Sequence, residues 1–233
     1  MSRIAILSDI HGNSAALAAV LDDIKRQKIA ACFFLGDFVG YYHHPREVLR
    51  LLQESGVACT MIRGNHERML ERALQGGILW EDIRRKYGSG LEIAARELPR
   101  DTLEGLLSLP DERLEESGGR RFLLCHGAPS DADRYIYPDA PPEAFDFPGA
   151  VADYVLLGHT HYPMLRFSGK YCVVNPGSVG QARTRGGVAD WCVINTDNDV
   201  VTMRQTPYDA DDVICDCIRY DPDVPYLQEA LRR

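Results

Sequence analysis

The sequence predicts an α/β fold, a four-layer αββα sandwich in which two mixed β-sheets pack face to face and helices cover the outside. Strands and helices alternate in the first third of the chain, which is typical of parallel strands with crossover helices. The last third instead holds short runs rich in Val, Tyr and Ile with turn signals between them. No repeat or shift in composition marks a boundary, so we expect one domain over residues 1–233.

The first third predicts a βαβαβ unit. Apolar residues recur at helical spacing from Ala16 to Ile24, and Asn13 is the expected N-cap of that helix. The predicted strands cover residues 3–8, 31–35 and 57–62, and the predicted helices cover 14–27 and 45–54.

The middle of the chain predicts a helical insertion. Residues 67–108 are rich in Arg, Glu, Leu and Ala, with interruptions near Gly76-Gly77 and Gly88. Because the segment follows the third strand, we expect an insertion or lid over the edge of the sheet.

The rest of the chain is predicted to be mostly β. A proline-rich loop is expected over 131–149. The tail from Asp209 onward is acidic and predicts a short helix, which we expect to be a solvated surface segment. The predicted strands are 112–116, 120–125, 154–157, 163–167, 171–174, 190–195 and 200–205.

Composition narrows the classes of partner. The formal net charge is −8, and no long run of Lys or Arg is present, so nucleic acid is not expected as a partner. No stretch of uncharged apolar residues is long enough to predict a membrane span. The seven cysteines are irregularly spaced and mostly within apolar runs, which predicts reduced thiols and a cytoplasmic protein. The sequence leaves the oligomeric state open.

Metal-competent side chains follow the predicted strands. Carboxyl ends of strands are where ligands bind in open α/β sheets, and each motif includes a glycine that permits a sharp turn. Each motif alone is equally compatible with an ordinary turn or cap, but five segments delivering N or O ligands at the same position together predict a metal site. The predicted ligands are Asp9, His11, Asp37, Asn65, His126, His159 and His161.

The types of ligand indicate which metals to expect. Carboxylate, imidazole and amide groups without thiolate suit Mn, with Fe, Zn, Co or Ni as alternatives. Seven ligands are too many for one tetrahedral ion and suit two divalent ions that share a carboxylate. Two ions roughly 3.5–4 Å apart can hold the attacking and leaving oxygens of a phosphoryl displacement. We therefore expect a small phosphorylated substrate.

The same motifs resemble the calcineurin-like metallophosphoesterase family, in order and spacing, along residues 1–180. The resemblance is carried by Asp9-x-His11, Gly36-Asp37, Gly64-Asn65-His66-Glu67, His126 and Gly158-His159-x-His161. The segment from Asn175 to Gly180 resembles compact prokaryotic members related to diadenosine tetraphosphatases and small phosphodiesterases. The resemblance implies a β-sandwich flanked by helices and metal-dependent hydrolysis of phosphomonoesters or phosphodiesters, with nucleotides among the candidate substrates.

The resemblance also implies roles for single residues. One metal is expected on Asp9, His11 and His161, the other on Asn65, His126 and His159, and Asp37 is expected to bridge them. His66 is not a ligand in the family. It is expected to stabilise the reacting phosphoryl group or protonate the leaving oxygen, with orientation of Asp37 as the alternative.

One departure from the family separates this chain from its protein phosphatases, which continue the Gly-Asp motif with Val-Asp-Arg-Gly. Here Phe38-Val39-Gly40-Tyr41 follows Asp37. Arg63 and Arg183 are candidate substrate contacts, and a surface salt bridge is the alternative for each. Tyr41 is expected to line the pocket or, alternatively, to serve in aromatic packing. A scaffold that has lost catalysis is the second functional hypothesis, and the retention of all seven ligands and His66 argues against it.

Overall fold

The predicted sandwich is confirmed: two mixed five-stranded sheets are flanked by eight α-helices within residues 3–233, which the computed structural model describes. The strands are β1 (Arg3–Leu7), β2 (Ala31–Phe34), β3 (Ala58–Met61), β4 (Glu112–Ser117), β5 (Arg120–Cys125), β6 (Tyr154–Leu156), β7 (Met164–Phe167), β8 (Cys172–Asn175), β9 (Val188–Asn195) and β10 (Val200–Pro207). The helices are α1 (Ser14–Arg26), α2 (Pro45–Glu54), α3 (Asn65–Leu74), α4 (Trp80–Tyr87), α5 (Gly90–Glu97), α6 (Arg100–Leu107), α7 (Asp211–Tyr220) and α8 (Tyr226–Arg232).

Each sheet contains three adjacent parallel strands; only β9 is reversed in the first sheet, and β4 and β7 are reversed in the second. The first sheet has the order β10-β9-β1-β2-β3, with β1, β2 and β3 parallel. The second has the order β4-β5-β6-β8-β7, with β5, β6 and β8 parallel. The carboxyl ends of three strands therefore meet along one edge of each sheet, and the chain leaving them carries the candidate site.

Alternating side chains of the central strands divide the core. Ile4 and Ile6 of β1 point toward the second sheet, where they join Phe122 and Leu124 of β5 in one buried cluster. Leu7 lies in the cluster on the opposite face, which packs against α1 and α2. Helix α1 begins where predicted, because the side chain of Asn13 accepts a hydrogen bond from the backbone N–H of Ala16.

The helical insertion is confirmed as four short helices, α3 to α6, with breaks near the expected glycines. Their apolar faces are not a free lid. Leu70 of α3 and Leu91 and Ala94 of α5 are fully buried in the same cluster as the outer face of the first sheet. The insertion therefore extends the helical layer beside β3, the edge strand. That the whole chain forms one domain stays a prediction, and residues 1 and 2 lie outside the described part.

A segment with little regular structure covers the outer face of the second sheet. Val155 and Val173 pack there against Phe145 and Phe147, which lie in and beside a short 3-10 helix, Pro142–Phe145. This agrees with the predicted proline-rich loop over 131–149. The loop also carries tyrosines toward the candidate site.

The tail is helical as predicted, but the expectation of a solvated surface segment was wrong. The tail forms two helices, and Val213, Cys217 and Leu227 are buried against Tyr41 and Tyr42. Asp211 and Asp212 are exposed while apolar side chains at helical spacing pack inward, so the net charge of the segment concealed an amphipathic pattern. None of the helices in the described part is long and apolar enough to cross a membrane.

Candidate metal centre

Seven side chains from five loops meet where the carboxyl ends of the parallel strands of both sheets converge. The structure thus brings together all the predicted ligands, here called the seven-residue cluster: Asp9, His11, Asp37, Asn65, His126, His159 and His161. Ligand atoms of Asp9, His11 and His161 lie within 4.8 Å of one another, and so do those of Asp37, His126 and His159. The amide oxygen of Asn65 lies 2.8 Å from Nε2 of His126.

Backbone carbonyls orient three of the imidazoles. Nδ1 of His126 lies 2.7 Å from the carbonyl oxygen of Leu35, and Nδ1 of His161 lies 3.0 Å from that of Gln181. His11 is held in the same way, with 3.3 Å between its Nδ1 and the carbonyl oxygen of Val39. A neutral imidazole that donates from Nδ1 presents an unprotonated Nε2, which is the atom that binds a metal.

Several buried acceptor atoms of the cluster lack a hydrogen-bond donor among the residues that the structure describes. Oδ1 of Asp9 and Nε2 of His159 make no hydrogen bond with any residue of 3–233. Nε2 of His11 and Nε2 of His161 lie 3.0 Å apart, although each carries a lone pair in the tautomer just described. A buried acceptor left unpaired costs about 1–3 kcal/mol. Cations among these atoms satisfy them all, so the donor set fits divalent metal ions.

Asp37 lies between the two halves of the cluster. Its Oδ2 is 3.7 Å from Nε2 of His11 on one side and 3.2 Å from Nε2 of His126 on the other. Its Oδ1 accepts a hydrogen bond from the backbone N–H of His66. Oδ1 of Asp9, in contrast, is close to one half, at 3.3 Å from Nε2 of His161. Asp37, between the two halves, therefore has the position that a carboxylate shared by two ions requires.

Electrostatics in the cluster favour positive charge. Burial disfavours the charged forms of both Asp37 and His126, but their proximity prevails, lowering the pKa of Asp37 and raising that of His126 to about 10. Burial and the charge of His126 lower the pKa of His159 to about 4, so this imidazole is neutral. Metal binding displaces protons from imidazoles, so a bound ion would take the place of the charge on His126.

The loops of the cluster are held in an unusual backbone conformation. Asp9, His11, Asp37, His159 and His161 all have φ between 53° and 65°, the left-handed region that costs a non-glycine residue about 1–2 kcal/mol. The loops also pass very close to one another. A Cβ on Gly64 would lie 2.2 Å from Oδ1 of Asp37, so only glycine fits there. Such strain at the candidate ligands indicates a site shaped for function.

Glu67 connects two of the loops, a role that the sequence analysis did not assign to it. The carboxylate is fully buried and accepts hydrogen bonds from the backbone N–H groups of Asp37, Phe38, Val39 and Gly64. Burial and the neighbouring Asp37 raise the pKa of Glu67, while these donors act in the opposite direction. Its place directly after His66 in the Gly-Asn-His-Glu motif was the available signal.

His66 is buried at the edge of the cluster. Its ring lies edge-on to His11, with 4.6 Å between centroids, and close to Tyr41 at 4.9 Å and Tyr87 at 5.2 Å. Burial lowers the pKa of His66, and the attraction of Asp37 acts in the opposite direction. Only the backbone N–H of His66 contacts Asp37 through a hydrogen bond, which leaves the ring free for another role.

The three candidate substrate contacts lie in different surroundings. Tyr41 is beside the cluster, with its ring 4.4 Å from that of His11. Arg183 is half-buried near Tyr41 and Tyr226, where its charge counteracts the rise that burial causes in the pKa of both phenols, and it forms no ion pair within the described chain. Arg63 forms ion pairs with Asp111 and Glu71, as its salt-bridge alternative expected.

Comparison with known proteins agrees with this geometry. Residues 2–199 match the model of the calcineurin-like phosphoesterase superfamily domain. An uncharacterised protein of Methanocaldococcus jannaschii is 31% identical over 229 residues, which cover 89% of this chain and 88% of that protein.

Two solved structures are similar over nearly their whole length. A hypothetical protein of Pyrococcus horikoshii has a TM-score of 0.83 at 22% identity, covering 100% of this chain and 98% of that one. A metallophosphoesterase of Sphaerobacter thermophilus has a TM-score of 0.80 at 26% identity, covering 98% of both chains. This family uses divalent metal ions for phosphoester hydrolysis, and the Asp and His groups described above could bind them. The chain belongs to the calcineurin-like phosphoesterase superfamily.

Proposed function

We propose that this protein hydrolyses phosphate esters of small molecules with two divalent metal ions, Mn first and Fe, Zn, Co or Ni as alternatives. One observation carries the proposal: buried acceptors of Asp9, His11, His159 and His161 converge without donors among the described residues. Family membership supports the type of reaction. Phosphodiesters, phosphomonoesters and nucleotides are all candidate substrates.

The distances support a division of the cluster into two ion sites. Asp9, His11 and His161 would hold one ion, and Asn65, His126 and His159 would hold the other. Asp37 would contribute to both. When bound, two such ions activate water and neutralise the charge of the phosphoryl group.

Residues around the cluster would handle the rest of the substrate. His66 would protonate the leaving oxygen or hydrogen-bond to the phosphoryl group, since its ring makes no hydrogen bond to Asp37 that would support the orienting alternative. Arg183 would contact a substrate anion, because no described carboxylate pairs with it. Tyr41, which lies near both His66 and Arg183, would form part of the wall of the substrate pocket. Arg63 is the weakest of the predicted contacts, since Asp111, Glu71 and the carbonyl of Leu107 occupy its donors.

A scaffold without catalysis is the less favoured function. Five residues in strained left-handed conformations around unpaired acceptors favour a site that binds a ligand over a purely structural one. The net charge of −8 supports a small substrate over nucleic acid. All seven cysteines are free, which supports our assignment to the cytoplasm.

A chromogenic assay tests the proposal. We expect Mn-loaded protein to hydrolyse bis(p-nitrophenyl) phosphate or p-nitrophenyl phosphate, and a chelator to abolish the activity. Adding Mn back should restore it, with Co and Ni also active. Full activity of metal-stripped protein, or no activity on either substrate with any of these metals, would contradict it.

A further inference from the structure

A small cavity opens beside the part of the cluster formed by Asn65, His126 and His159. It has a volume of about 160 Å³ and is bordered by two of the predicted ligands, Asn65 and His159. Tyr87, at the end of α4, and Tyr135, in the loop after β5, form aromatic walls. A cavity of about 150 Å³ accommodates benzene, so this one has the size of a single six-membered ring.

The tyrosines place the cavity directly beside the predicted chemistry. The ring of Tyr135 lies over His159, with 3.8 Å between centroids, and Tyr87 lies edge-on to His66 at 5.2 Å. Tyr135 is 56% exposed, so its ring is accessible to a ligand in the cavity. A ring bound between these walls would therefore lie next to His159 and close to His66.

Two arginines give the same cavity positive charge. Arg68 and Arg72 are four residues apart on α3 and so lie on one face of the helix. Arg68 faces Asp133 at 3.5 Å, but that carboxylate is 67% exposed and holds it weakly. Arg72 is exposed and pairs with no acidic residue in the described part of the chain. A free guanidinium beside aromatic walls suits an anionic group on the ligand.

We propose that this cavity is a substrate subsite for an aromatic ring that carries a second anionic group beyond the scissile phosphate, such as a pyrimidine nucleoside with two phosphates. The inference rests on the proposed function, because it assigns the scissile phosphate to the seven-residue cluster. Tyr87 and Tyr135 contact the ring, and Arg72, supported by Arg68, binds the second anion. The insertion thereby selects the substrate.

Equilibrium binding tests the subsite without hydrolysis. The probes are thymidine bearing one methylenephosphonate on its sugar and thymidine bearing two, since a P–C bond resists phosphoesterases. With Mn-loaded wild-type protein, we expect calorimetry to show about tenfold tighter binding of the doubly charged probe. Arg72→Ala should reduce that ratio toward one. Arg100→Ala, which removes an exposed arginine of α6 outside the cavity, should keep the ratio.

The aromatic walls are tested with the same probes. Tyr135→Ala should weaken binding of both by about fivefold, whereas Tyr135→Phe should retain it, because the ring is what contacts the ligand. Equal affinities for the two probes in wild type, or a ratio that Arg72→Ala does not change, would overturn the subsite. Hydrolysis of the chromogenic esters is measured separately, so its absence would refute the proposed function and leave the binding result to be judged by itself.

Discussion

The seven-residue cluster and the cavity beside it are adjacent but built in different ways. The cluster uses buried side chains on tight loops after parallel strands, with imidazoles held by backbone carbonyls. The cavity uses two tyrosines, Tyr87 and Tyr135, and two arginines of α3, and among its described charges Arg68 and Asp133 form one weak ion pair. The contrast teaches that rigid backbone supports fix the chemistry, while adaptable surface side chains provide the specificity.

The largest effect is expected for Asp37→Asn. This change removes the charge that both ions would share, so at least one ion should be lost and activity should fall by about 10³-fold or more. Excess Mn should restore part of the activity, because mass action opposes the weaker binding. An Asp37→Asn protein with full activity at ordinary Mn concentrations would refute the shared carboxylate.

His66→Ala should reduce kcat by about 10²–10⁴-fold, because it removes a proton donor or a hydrogen bond to the phosphoryl group. Both ions should remain, and excess Mn should not restore the activity. Kinetics beside metal analysis by mass spectrometry check this. Loss of metal from His66→Ala would instead make His66 a ligand or an essential support of one.

Glu67→Gln should weaken metal binding by about 10–100-fold, because the amide accepts fewer of the four N–H groups that join the Asp37 and Gly64 loops. The matched control is Glu71→Gln, one turn later on α3, where the carboxylate pairs with Arg63 near the surface. Metal titration of both variants checks this. If Glu67→Gln and Glu71→Gln bind metal with equal affinity, Glu67 does not position the cluster.

The smallest effect should come from the tail of the chain, outside both the cluster and the cavity. Asp221 accepts hydrogen bonds from the backbone N–H and hydroxyl of Ser89 and contacts His43 at 2.7 Å, which ties the tail to the turn after Tyr87. Asp221→Asn should lower the free energy of unfolding by about 2 kcal/mol at neutral pH and leave metal content unchanged.

The loss of stability in Asp221→Asn should depend on pH in a defined direction. Burial opposes the charged form of Asp221, but His43 and Ser89 outweigh it and lower its pKa in the folded protein. Its contribution to stability is therefore present above about pH 4 and is lost as the pH falls through the folded pKa. Urea unfolding of wild type and variant should show a difference that narrows below about pH 4. A constant difference would contradict a stabilising role for the charged form of Asp221.

The cluster could be predicted from sequence because its signals are local. Each ligand follows a buried strand, and parallel strands bring such positions together without further information. Glu67 was not assigned a role because its partners include the Asp37 loop, 30 residues away, and such contacts depend on how two loops cross. The cavity was missed for a related reason, since Arg72 and Tyr135 meet only through packing of the insertion against the 131–149 loop.

The tail shows where composition misleads. Val213, Ile214 and Cys217 recur at helical spacing, but their acidic neighbours dominated the prediction of a solvated segment. The docking site that buries them is formed by Tyr41, Tyr42 and Tyr87, which lie far away in the sequence. Amphipathic spacing was the better guide than net charge.

Counting the metal ions bound to the wild-type protein tests the central claim most directly. Native mass spectrometry of Mn-loaded protein should show two ions per chain, and the Asp37→Asn protein should show fewer under the same conditions. The seven converging ligands predict this stoichiometry because they form two groups around one shared carboxylate. A wild-type protein that binds no metal, or only a single ion at saturation, would contradict the account.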